Sequence, residues 1–202
     1  MTAKNAAAEP IPALEVLVVD RNAQRGRELR AALSLAGYTV QAVLRDMRAL
    51  HARVLELKPQ VIIIAADSPD RDTLEHIAAT LEDAPRPVVM FTQDDADESI
   101  RAAIEAGVSA YVVDGLDPTR LSAILKVAQA RFEAHQGLKR RLAEAERRLA
   151  ERQLVERAKG LLMEKKGLSE EAAYRELRRL SMDTGRRLAE VAQTLIAARD
   201  LL

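Results

Sequence analysis

Five short runs of branched apolar residues, each followed by a stretch with helical spacing, constrain this chain more than any other feature. The runs are Glu15–Val19, Tyr38–Val43, Val61–Ala65, Val88–Phe91 and Ala110–Val113. Between them lie Asn22–Ala36, Asp46–Leu57, Asp72–Glu82 and Ala96–Ala106, whose apolar residues recur with the period of an amphipathic helix. Gly37 and Gly107 stand where helices should stop, and Pro59, Pro69, Pro87 and Pro118 flank the elements. Strands that are apolar throughout need cover on both faces, which a strand–helix alternation provides. The pattern predicts an α/β domain over 14–118 built on a five-stranded parallel sheet. In such folds the functional residues gather at the carboxyl ends of the strands.

After Pro118 the strands stop. From Thr119 to about Lys166 the chain reads as one long helix. Leu121, Leu125, Ala128, Phe132 and His135, then Leu138, Leu142, Ala145 and Leu149 after a register shift, step by three and four. Arg and Glu fill the other positions, so 119–154 is expected to form a dimeric coiled coil through Leu121, Leu125, Phe132, Leu138, Leu142 and Leu149. The rival reading is an amphipathic helix lying on its own domain. Two shorter helices follow. Ser169 with Glu170 and Glu171 is a helix start, Ala173, Leu177 and Leu180 mark its inner face, and Asp183-Thr184-Gly185 ends it. Leu188, Val191, Ala192, Leu195 and Ile196 form the last stripe. Together with the end of the long helix, these could bury a small core.

Composition excludes several chemistries. There is no cysteine, and three histidines far apart in sequence offer no zinc-ligand spacing. Three tyrosines and two phenylalanines are too few for an extended stacking platform. Nothing pairs a nucleophile with a base, so no enzymatic activity, cofactor or metal is expected. The stretch 1–13 reads as a flexible tail without the apolar run of a signal peptide. The longest apolar stretch, Val61–Ala66, is too short to span a membrane, and a cytoplasmic location is expected. Thirty-one basic and thirty-one acidic residues cancel overall, yet residues 1–130 carry −5 and residues 131–202 carry +5. An anionic partner for the C-terminal part is therefore permitted.

The strand ends give the first resemblance. Val16-Leu-Val-Val-Asp20, Pro59-Gln-Val-Ile-Ile-Ile-Ala65, Thr92 and Tyr111 resemble the flavodoxin-like receiver domain of response regulators. That family's phosphoryl chemistry uses acidic residues after the first strand to hold magnesium, an aspartate after the third, a hydroxyl after the fourth and a lysine after the fifth. Thr92 and Tyr111 match. Three positions depart: Arg21 stands in place of the second acid, Ala65 in place of the phosphoacceptor, and Asp114 in place of the lysine. The receiver is therefore expected to be degenerate and unable to take phosphate at position 65. Asp67 is read as opening the Asp67–Asp72 loop and capping the helix after it.

The basic tail gives the second. Ala158-Lys159-Gly160-Leu-Leu-Met163, Ala172-Ala173-Tyr174 and Arg186-Arg187-Leu188-Ala-Glu-Val191-Ala192, in that order and spacing, resemble the ANTAR domain, a three-helix RNA-binding module of transcription antiterminators. The Asp67-Ser-Pro-Asp-Arg-Asp72 and Ala110-Tyr-Val-Val-Asp-Gly115 segments resemble NasT-type regulators of nitrate assimilation. The resemblance assigns 155–202 to this module and implies a homodimer that binds two hairpins in a leader RNA and so acts on RNA polymerase indirectly. It also implies a nitrate sensor of the NasS type as partner. The residues expected to meet RNA are Arg152, Ala158, Lys159, Gly160, Lys166, Arg178, Arg179, Arg186 and Arg187. Arg152, Lys159 and Lys166 recur every seven positions, which puts them along one side of a helix. Gly160 lowers helix stability by about 1 kcal/mol relative to alanine, so a close approach by the second helix or by RNA is expected there. Met163 is read as core; Tyr174 either stacks on a base or packs. A DNA-binding regulator and a protein-binding adaptor remain the alternatives.

Overall fold

The structure, a computed structural model, describes residues 14–113 and 118–198. The expected tail over 1–13 lies outside them. Contacts divide the chain into two compact units, one ending at His135 and one beginning at Gln136.

In the first unit, strands β1 (Glu15–Asp20), β2 (Thr39–Leu44), β3 (Val61–Ala65), β4 (Val88–Thr92) and β5 (Ala110–Val113) form one parallel sheet in the order β2-β1-β3-β4-β5. Helices α1 (Ala23–Leu35), α2 (Leu50–Leu57), α3 (Arg71–Asp83) and α4 (Asp97–Glu105) connect them, with a short 3-10 turn at Met47–Ala49 ahead of α2. Alternate strand residues point to opposite faces and so feed two cores. Val16, Val18, Val61, Ile63, Val89 and Phe91 pack with Leu29 and Leu33 of α1 on one face. Leu17, Val19, Ile62, Ile64, Val88 and Met90 meet Leu50, Val54, Ile77 and Ala103 on the other. The alternating strands and helices expected from the sequence are therefore present, with Asn22, Asp46 and Asp70 as side-chain caps. The helix after β3 is capped by Asp70, not by Asp67, whose side chain is engaged elsewhere.

Helix α5 (Pro118–Lys166) runs unbroken for 49 residues. Its first turns correct the expected dimer seam. Leu121, Leu125 and Ala128 are completely or almost completely buried in the core of the first unit, against the α1 side of the sheet. An interior leucine gains about 1.5–3 kcal/mol from leaving water, and these residues share with Leu29 and Leu33 of α1 the cover of this sheet face. These residues belong to the first unit, so the rival reading of a helix lying on its own domain holds for this stretch. Phe132 is half-buried, whereas Leu138, Leu142 and Leu149 are exposed by 62%, 60% and 58%.

The second unit closes on the last turns of α5, helix α6 (Glu170–Thr184) and helix α7 (Leu188–Ala197). Ser169 caps α6 by accepting from the Ala172 amide, and Gly185 ends it in the left-handed conformation that glycine adopts without steric cost. Ala158, Leu162, Ala173, Leu177, Val191 and Ala192 form the core. Alanine on all three helices lets their axes approach closely. Leu125→Ala should cost the first unit about 2–5 kcal/mol, the usual loss for emptying a buried leucine site. Urea unfolding checks this, and self-association should be unaffected because Leu125 faces the sheet.

Candidate nucleic-acid interface and receiver pocket

The carboxyl ends of β1 and β3 meet in register, Asp20 beside Ala65. Asp20 is buried, and both its oxygens are held by one arginine of α1: Nε of Arg25 donates to Oδ2 at 2.8 Å and Nη2 to Oδ1 at 2.9 Å. Asp20 Oδ1 also accepts from the Asn22 amide at 2.8 Å. The same guanidinium donates through Nη2 to the Ala65 carbonyl at 3.3 Å and through Nη1 to Asp67. The hydrogen bond to Asp20 holds Arg25 above the ordinary arginine range, against the opposing effect of burial. Arg21 lines the rim of this pocket, as expected, with its side chain largely exposed and its guanidinium 3.8 Å from Asp70. Asp114 lies outside the described residues.

From Asp67 a chain of hydrogen bonds crosses to β5. Thr92 Oγ1 donates to the Asp67 carbonyl at 3.0 Å and accepts from the Asp94 amide at 3.1 Å, and the Tyr111 hydroxyl donates to the Asp94 carbonyl at 2.9 Å. Asp94 gathers the Ala96 amide, Ser99 and Ser68, which hold its carboxyl below the usual range. A cavity of about 390 Å³ lies beside Arg25, lined also by Asn22, Met47, Ala65 and Asp67. With Ala65 at the acceptor position, no nucleophile stands there.

In the second unit a groove of about 650 Å³ runs between α5 and the starts of α6 and α7. Arg147, Arg148 and Arg152 line it from α5, Tyr174 from α6 and Arg187 from the entry to α7. Arg147 pairs with Glu151 and Arg148 with Glu144, one turn away in each case. Arg152 and Arg187 have no ion-pair partner among the described residues. The Tyr174 side chain is partly open to solvent.

Lys159 departs from its expected position. It is only 8% exposed, and its ammonium bonds Glu170 at 2.7 Å and Glu156 at 2.9 Å. The bond to Glu170 raises Lys159 above its ordinary 10.5 and lowers Glu170 below its ordinary 4.5. Lys159 therefore latches α5 to the first turn of α6, where a carboxylate is also favoured by the helix dipole. Ala158 is core and not surface. Gly160 is exposed, and a Cβ there would meet nothing within 4 Å, so the second helix does not approach it. Met163, read as core, is 40% exposed.

Residues 143–196 match the ANTAR domain family. The Transcriptional regulatory protein PdtaR of Mycobacterium tuberculosis is 30% identical over 205 residues, covering 99% of this chain and all of that protein. The chain belongs to the ANTAR-domain response regulators. A Nitrate regulatory protein of Klebsiella oxytoca is 40% identical over 73 residues, 35% of this chain and 18% of its own length. The signal receiver domain of a modulated diguanylate cyclase from Desulfovibrio desulfuricans shares the fold of the first unit. Its TM-score is 0.54 at 18% identity, over 61% of this chain and 98% of that one.

Of the basic residues expected at the ANTAR surface of this regulator, only Arg152 and Arg187 line the groove. Arg178 is exposed one helical turn beyond Tyr174. Arg179 is tied to Glu176 and Asp183, Arg186 to Glu190, and Lys166 sits exposed at the end of α5. Sequence reasoning missed Arg147 and Arg148 in the groove, and Arg25 and Asp94 in the receiver. Arg25 left one signal: a cation in the first turn of a helix, where the dipole disfavours it, five residues after a strand-terminal aspartate.

Lys159→Met should keep the packing of the ANTAR unit but leave Glu156 and Glu170 without their counter-charge, lowering its melting temperature at neutral pH. The stabilising effect of Glu170, whose pKa is depressed in the folded state, is present above its ordinary 4.5 and disappears as pH falls through the folded value. The gap between wild type and variant should therefore close in acid, as read by circular dichroism melts across a pH series. A gap that stays constant would refute the latch.

Proposed function

We propose that this ANTAR-domain regulator is an RNA-binding transcription antiterminator, acting as a homodimer on two hairpins of a leader RNA. The groove carries the reading. Four guanidinium groups lie around one accessible tyrosine ring, which matches what a hairpin loop presents: phosphates at its edges and unstacked base faces. Arginine planes and the ring can both take a base face, and the unpaired Arg152 and Arg187 give up no existing bridge to meet phosphate. Gly160, with open space where a side chain would stand, leaves α5 approachable from outside. The dimer rests on Leu138, Leu142 and Leu149, exposed apolar residues at heptad-related spacing on a helix long enough for a second copy to pair with.

Input is proposed to come through a sensor protein of the NasS type and not through phosphoryl transfer, with nitrate or nitrite assimilation as the controlled process and the cytoplasm as the setting. The segment Asp67–Asp72 and the partial similarity to the Klebsiella nitrate regulator support this. Among the described residues no helix is long and apolar enough to cross a membrane. A DNA-binding reading finds less support, since α7 presents arginine only at its entry and then Leu188, Ala189, Val191 and Ala192.

Titration of a two-hairpin leader RNA against increasing salt tests the reading. Arg187→Ala should weaken binding across RNA sequences and reduce the salt slope by about one, the signature of one lost phosphate contact. Tyr174→Leu should leave the slope unchanged and cost about 1–3 kcal/mol on hairpins with unpaired loops, the range for one stacked base. Equal affinity for duplex DNA and hairpin RNA would overturn the assignment. Replacing Leu142 and Leu149 with glutamate should give monomers by light scattering, because the seam would then bury unpaired charge.

A further inference from the structure

Response-regulator receivers that carry out phosphoryl transfer hold a divalent cation on carboxylates at the ends of the first and third strands. The residues present here do not fit one. Both oxygens of the buried Asp20 are committed to Arg25, and one of them also to the Asn22 amide. The Ala65 carbonyl and Oδ1 of Asp67 accept from the same guanidinium. A divalent ion needs its oxygen ligands within about 2.0–2.6 Å, which is the space the guanidinium fills, and its two charges would be repelled by a third.

The placement of Arg25 is costly without this role. It sits in the first turn of α1, at the positive end of the helix. Asp20, with its side chain sealed from solvent, needs a cation, because a lone buried carboxylate is among the most expensive groups to keep ionised. Each of the two unfavourable charges thus removes the penalty on the other.

We propose that Arg25 is a built-in cation that takes the place of the divalent metal, neutralising the buried Asp20 and closing this receiver pocket to metal. The guanidinium then does structurally what an ion would do. It fixes Asp67, whose carbonyl anchors Thr92, and through Asp94 the same hydrogen-bond chain reaches Tyr111 on β5. The path from strand ends to β5 is continuous with Arg25 at its head, which suits input by contact with the protein surface.

Manganese binding to the full-length protein, followed by the electron paramagnetic resonance of free Mn²⁺, tests the proposal. Wild type should show no stoichiometric site. Arg25→Ala frees the Asp20 and Asp67 carboxylates and should bind one Mn²⁺, displaceable by Mg²⁺, at least about tenfold more tightly than wild type, a conservative figure for removing a neighbouring positive charge. Adding Asp20→Asn to that variant should abolish the site. Should Arg25→Ala fail to fold, Arg25→Gln retains a neutral donor to Asp20 and serves for the same measurement. Wild type binding Mn²⁺ as tightly as the variants, or folded variants binding no better than wild type, would overturn the assignment.

Discussion

A carboxylate sealed from solvent must be neutralised, and the top of the receiver sheet is organised by how Asp20 achieves this. Its partner comes from the helix that follows, so β1 and α1 are locked at their junction, with Asn22 both capping the helix and donating to the same aspartate. Because Arg25 also reaches the Ala65 carbonyl and Asp67, the β3 end and its loop are drawn into one charge cluster. The buried Asp20 is therefore neutralised by a group of the protein itself.

The fold was legible because its signal is periodic. β-branched runs such as Val61–Ala65 cannot face water on either side, and the helical stretches between them leave a parallel sheet as the way to cover both faces. The start of α6 was readable from local chemistry, in Ser169 followed by two glutamates, whereas the cap of α3 fell to Asp70 and not to Asp67. The seam of α5 was misjudged because periodicity says which residues share a face but not what covers it. Leu121, Leu125 and Leu142 belong to comparable apolar stripes, yet the first two lie under a sheet and the third faces solvent. Only the position of the sheet distinguishes them.

The sites were less legible, since charge carries no such period. Lys159 and Arg152 are seven residues apart and share a side of α5, but α6 covers one and leaves the other open. The pairing of Arg25 with Asp67 spans 42 residues, and that of Lys159 with Glu170 crosses a turn between helices, so neither follows from local spacing. For Tyr174, too, local sequence does not distinguish stacking from packing. Its surroundings come from α5 and α7, elements whose approach is set by alanines in the core.

The open turn at Gly160 has a kinetic consequence for the second unit. A helix interior glycine with no neighbouring side chain loses backbone order easily, and the turns of α5 beyond it are held by Leu162 packing into the three-helix core. Local opening of that end needs α6 and α7 to loosen, so amide exchange in Leu161–Lys166 should track theirs and not that of the receiver sheet. One continuous helix would then contain two independent exchange regimes, with covalent continuity but no shared cooperativity.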